Sequence, residues 1–160
     1  MRVSAAVGSL SIAVAVAAGA ACHSTTAPLV TGQRWSFQAY ELTDGTVTCI
    51  FGTTLNLTGT NGQFTGSYRD AFLSCSSPVG ASSTLLTGTV DAGDASSGTV
   101  SFQLTPVDVV NSGEVPVTAS AFASTGTIVH DNSMSGTTTV TVTIGGVAHV
   151  LTGAWTGTLA

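Results

Sequence analysis

No lysine occurs anywhere in these 160 residues, and arginine occurs only at Arg2, Arg34 and Arg69. Binding a phosphate backbone requires clustered cations, so a nucleic-acid partner is excluded by supply. Electrostatic attachment to anionic lipid heads fails for the same reason. Charge of either sign is scarce, at 7% of the chain, and eight acids leave a formal net charge of −5. Disorder goes with low hydrophobicity and high charge. Here hydrophobic residues make up 43%, with Val, Ile, Leu and Phe spread along the chain, which predicts a packed fold. Motifs of known mechanics are missing as well: there is no Gly-x-Ser-x-Gly elbow, Gly-rich phosphate loop, His-Glu-x-x-His or Cys-x-x-Cys. Their absence leaves catalysis unsupported without excluding it, and no cofactor is expected.

What is present begins with a leader. Met1-Arg2-Val3 followed by apolar Ala5 to Ala21 has the charged start, short apolar run and small-residue end of a secretory signal. Gly8, Ser9, Ser11 and Gly19 interrupt the run, which suits a cleaved segment (1–21) better than a retained spanning helix. Gly19-Ala20-Ala21-Cys22 resembles the lipobox of bacterial lipoproteins. That resemblance implies that Cys22 receives diacylglycerol and becomes the mature N-terminus, anchoring the protein to a membrane. Gly19 stands where the family has Leu or another aliphatic residue, so ordinary cleavage near Ala20 or Ala21 is the alternative. Residues 22–29 then form a polar tether without periodicity, as a lipidated end needs to reach a folded domain. His23, rather than Asp, follows the Cys, which by the same resemblance implies an outer-membrane address, facing periplasm or cell surface.

With Cys22 assigned to lipid, Cys49 and Cys75 remain as an even pair in an oxidising compartment, which predicts a disulfide. Two buried thiols are the alternative. A bridge closing a loop of this length contributes about 3 to 4 kcal/mol in the chain-entropy model.

The remaining chain, about 30–160, is enough for one domain. Its pattern is period two, with Thr, Val and aromatics separated by Gly, Asn, Asp and Ser. Strands are predicted over Arg34–Leu42, Thr46–Thr58, Gln63–Asp70, Thr84–Val90, Thr99–Leu104, Thr118–Val129, Met134–Ile144 and Val147–Leu159. Gly52 reads as a bulge, Asn61-Gly62 is the strongest hairpin signal, and Asp44-Gly45 and Gly145-Gly146 mark further turns. Ala71–Ser83 reads as a Ser-rich connection and Thr105–Val117 as the longest irregular loop. An eight-stranded meander removes its edges by closing into an antiparallel up-and-down barrel, or shortens them by folding into a two-sheet sandwich. An immunoglobulin-type sandwich is disfavoured because no Trp lies between Cys49 and Cys75.

A short unit, as in Leu57-Thr58-Gly59-Thr60, Phe64-Thr65-Gly66-Ser67 and Trp155-Thr156-Gly157-Thr158, recurs at irregular spacing. Glycine within strands suits the curvature of a small barrel. Together with Gly32 and Trp35 at the first strand and Trp155 in the last, these residues give the chain a resemblance to the calycin group, the lipocalin and avidin-like barrels, over about residues 32–159. The resemblance implies a barrel of that architecture.

Three functional readings follow. Trp35, Phe37, Tyr68 and Trp155 fall on inward faces, and strand faces alternating large residues with glycine leave space for a small apolar or amphipathic ligand inside the barrel. The same residues alternatively plug the core, since an eight-stranded interior is just wide enough for either; the protein is then a structural or interaction component of the envelope. An enzyme using His130 beside Asp131 is the third, although a hairpin tip is the ordinary place for such a pair; His149 is the other His of the domain. Asp91, Asp94, Asp108, Asn111 and Glu114 fall within two loops, yet match no calcium-loop order.

Overall fold

A computed structural model describes residues 32–95, 98–113, 115–130 and 132–160. The described residues form nine strands: β1 Gln33–Thr43, β2 Thr48–Thr60, β3 Gln63–Ser77, β4 Gly80–Asp94, β5 Thr99–Asn111, β6 Val117–Ala119, β7 Phe122–His130, β8 Ser133–Ile144 and β9 Val147–Leu159. All pairings are antiparallel, and β9 pairs with both β8 and β1. The eight long strands therefore close into a barrel, with Trp35 opposite Leu159 and Ala39 opposite Trp155 at the seam.

The ninth strand arises where one strand was expected over Thr118–Val129. The chain breaks at Ser120-Ala121, so β6 pairs with the end of β8 (Val142–Ile144) and β7 with its earlier part. Ser120 bridges the break: its N–H donates to the Thr141 carbonyl and its hydroxyl accepts from the Thr141 N–H.

Two expected irregular segments are strand. Most of Ala71–Ser83 belongs to a long β3–β4 hairpin, in which only Pro78 and Val79 lie between the strands. Serine is a poor strand former in isolation, but each of these residues has a partner, such as Ser74 opposite Ser83, and pairing overrides propensity. Likewise β5 runs on through Asn111, paired to β4, whereas β7 pairs with it only over Thr99–Leu104. The second half of β5 thus has one edge not covered by β7, and Pro106, which has no N–H to offer, suits such an edge. The expected Asp91–Asp94 turn is a bulge within β4, with Ala92 at φ 50°.

The tight turns are where the sequence puts them. Asn61 and Gly62 have φ 55° and 81°, and Gly145 and Gly146 have 57° and 86°, the paired positive values that a two-residue hairpin matching strand twist requires. Cys49 and Cys75 are directly opposite in the β2–β3 ladder and joined by a disulfide. The bridge ties two adjacent strands, rather than a strand to a loop, because Cys75 lies within β3.

Candidate functional site

Trp35, Phe37, Tyr68 and Trp155 all point into the barrel and are fully buried. Phe37 stacks on Trp155 with ring centroids 5.2 Å apart and meets Phe51 and Phe102 edge-on. Phe51 in turn contacts Tyr68 and Phe122. These rings run across the interior from β1 to β7, and such pairs add to the burial of their area.

Glycines on the inward faces are closely covered: an aromatic ring lies over Gly88, Gly93 and Gly126, while Gly66 and Gly153 are met by strand backbone and by Leu57 and Leu42. Tyr68 stands opposite Gly88 and Phe64 opposite Gly93. A Cβ added at Gly88 would come within 2.8 Å of the Tyr68 ring, and one at Gly93 within 2.3 Å of the Phe64 ring. Trp155 stands opposite Gly136, which itself faces Gly126. The large-and-glycine alternation is a packing device, in which the ring of one strand fills the space that its neighbour's glycine leaves.

Tyr68 brings a polar atom into this core. Its hydroxyl is buried and has no hydrogen-bond partner among the described residues. Desolvation, reinforced by the charge on Asp91, raises its pKa well above the usual phenol range.

His130 ends β7 at the expected hairpin tip, exposed to solvent; Asp131 lies outside the described residues. The histidine that finds a carboxylate is His149, whose Nδ1 is 2.8 Å from Asp44 Oδ2. Sequence separation hid this pair, because only the β1–β9 seam brings the Asp44 turn beside β9. The carboxylate is already committed to its turn: Asp44 Oδ1 accepts from the N–H groups of Thr46 and Val47 and from the Thr46 hydroxyl. These bonds, led by that from Val47 and joined by His149, hold the Asp44 carboxyl far below the usual carboxylate range. The pair clips a turn to the last strand.

The Asp and Asn residues expected in two loops lie in β4 and β5, each with its own hydrogen-bond donor. Asp91 accepts from Thr89, Asp94 from Gln63, Asp108 from the Val109 N–H and Asn111 from the Val117 N–H. No group of three metal-ligating side chains occurs among the described residues; Glu114 lies outside them.

Compared with known proteins, the chain matches no family model, no curated protein and no solved structure.

Two surface concavities lie among the described residues. One, of about 600 Å³, lies over β5, β7 and β8, with Thr99, Ser101, Thr125, Gly126, Gly136 and Thr137 among its lining residues. The other, of about 540 Å³, lies over the outer faces of β1, β2 and β3 and holds both Arg34 and Arg69. Those are the only basic residues beyond the leader. Neither is in an ion pair among the described residues, where the only such pair is His149 with Asp44. The sequence signal was the scarcity of cations together with the outward parity of Arg34. Their presence in one groove follows from the register between three strands.

Proposed function

We propose that this protein is an exported envelope lipoprotein, anchored through Cys22, whose barrel has a filled core and acts through its outer surface as a non-enzymatic interaction module. The observation that carries the reading is the continuous aromatic interior: Trp35, Phe37, Tyr68 and Trp155 spend their surface on one another and on glycine backbone. That occupancy favours packing over an internal ligand. The polarity of the interior supports a barrel standing in water, since its largest apolar side chains, among them Trp35, Phe37 and Trp155, point inward, whereas a membrane-spanning barrel has a polar interior. The Cys49–Cys75 disulfide is what an oxidising compartment permits, and it agrees with the leader. Cys22 lies outside the described residues, and its assignment rests on the lipobox resemblance and the polar tether. Several acyl chains on such a residue would hold the protein firmly at the outer membrane, where one chain binds only marginally.

Two measurements test the two halves. Radioactive fatty acid supplied to cells should label the protein, and Cys22→Ser should abolish the label; undiminished label rejects the anchor. Tryptophan fluorescence of the mature protein should be insensitive to fatty acids and other apolar compounds. A saturable change would return the interior-ligand reading to first place.

A further inference from the structure

The groove over β1–β3 has a built floor. Ser36 pairs with Thr54, and Gln38 with Gly52, so small side chains lie between the larger Arg34, Gln38 and Phe72. One wall comes from a bulge: β3 carries Arg69, Asp70 and Ala71 where β2 has only Thr53 and Thr54, and Asp70 takes φ 51° to accommodate the extra residue. The bulge brings Arg69 and Asp70 to the groove, the re-aiming of side chains that bulges commonly perform. The opposite end is closed by Phe72, whose ring lies over Gly52; a Cβ there would come within 2.5 Å of it. Yet Phe72 is 45% exposed, so the ring covers backbone on one side and offers another to solvent.

These groups specify an occupant. Two guanidiniums without ion-pair partners, in a protein otherwise acidic, call for an anion and prefer a planar carboxylate held bidentately. Asp70 in the same lining opposes an anion that concentrates two charges on one group and calls for hydrogen-bond donors on the occupant. Gln38, Asn56, Ser36 and Thr54 add acceptors and donors around the floor. An exposed phenyl ring matches an apolar C–H face, and the volume of about 540 Å³ is on the scale of small-molecule sites, about 300–1,000 Å³. Phosphate satisfies the arginines but not Asp70 or Phe72. A fatty acid satisfies the arginines and Phe72 but carries no donor for Asp70.

We propose that this groove binds a carboxylate-bearing saccharide, the carboxylate on Arg34 and Arg69, ring hydroxyls on Asp70 and the floor amides, and a sugar face on Phe72. The inference rests on the reading that the barrel acts through its outer surface, and it names the chemistry of that surface.

The test is calorimetric titration of the mature protein with trigalacturonate, maltotriose, inorganic phosphate and decanoate, with tryptophan fluorescence followed in parallel. Saturable trigalacturonate binding, at least tenfold tighter than maltotriose, is expected, and added salt should weaken it. Arg34→Gln and Arg69→Gln should each reduce it at least tenfold with unchanged circular dichroism, and Phe72→Ser should reduce it as well. Asp70→Asn should weaken trigalacturonate while strengthening phosphate, a change of preference that lost folding would not produce. Phosphate or decanoate binding as tightly as trigalacturonate, or trigalacturonate binding untouched by both arginine substitutions, overturns the proposal. No binding of trigalacturonate with inert tryptophans defeats the saccharide assignment alone. Decanoate saturating the tryptophan signal defeats the filled-core reading beneath it.

Discussion

Trp155 stands opposite Gly136 across the β8–β9 ladder, and its indole reaches over that glycine to the next one, Gly126 on β7. There the ring N–H donates to the carbonyls of Thr125 at 3.2 Å and Thr137 at 3.0 Å. One side chain thus satisfies its polar atom while spanning three strands, and it can do so only because the two facing glycines leave a slot. A methyl group at Gly126 would sit 2.8 Å from the indole and 2.2 Å from the Ser135 carbonyl, and the backbone contact has no flexible end to move. Gly126→Ala is expected to destabilise the protein by about 2 to 3 kcal/mol, the upper range for overpacking, read as a lower urea midpoint. Trp155→Phe should also destabilise, through lost area and a lost hydrogen bond.

Tyr68 has the opposite problem, a buried hydroxyl without a partner among the described residues. Tyr68→Phe removes the polar atom and keeps the ring over Gly88, so stability at neutral pH should be unchanged or rise by up to about 1 kcal/mol, within the range for an unsatisfied buried group. The raised pKa gives a pH signature. Unfolded tyrosine ionises near pH 10, whereas the folded one stays neutral, so the folded state is favoured below that pH and loses stability as pH rises above it. The slope approaches about 1.4 kcal/mol per pH unit for one proton. The alkaline limb of a denaturation series should be shallower in Tyr68→Phe; an identical limb would remove Tyr68 as its source.

The bridge between Cys49 and Cys75 spans 26 residues of sequence. Replacing both by Ser should lower stability by about 3 kcal/mol on the chain-entropy model. The unreduced mature chain should weigh two hydrogens less than the reduced one, and two freely alkylated thiols in exported protein would reject the pairing.

Asp44 supplies the acid counterpart. Its folded pKa lies below that of the unfolded chain, so its contribution is complete above about pH 4 and disappears as pH falls further. Asp44→Asn should lower stability at neutral pH and flatten the acid limb. His149→Gln should do less, because the leading bond to Asp44 comes from the Val47 N–H. Equal effects of the two substitutions would place the stabilisation in the His149–Asp44 contact instead.

Local chemistry made much of this protein legible. Period-two alternation marked the inward faces of Trp35, Phe37, Tyr68 and Trp155. Asn61-Gly62 and Gly145-Gly146 announced their turns, because few residue pairs take two positive φ values. Alternation gave eight strands, and the need to manage their edges left a closed barrel or a two-sheet sandwich; the β1–β9 pairing decides for the barrel. Where chain pairing outweighed composition, the reading fell short: the serines of β3 and β4 and the far half of β5, with Pro106, looked irregular yet are held by their partners. Whether a glycine opposite a large residue leaves space or receives a ring depends on the register of neighbouring strands, which no single strand contains. Residues distant in sequence came together for the same reason. Asp44 met His149 through the seam between β1 and β9, while Arg34 and Arg69 came to line one groove across β1, β2 and a bulged β3. Alternation sets which side of a strand a residue faces; only the closed barrel, by fixing every strand's register against the next, decides what it faces.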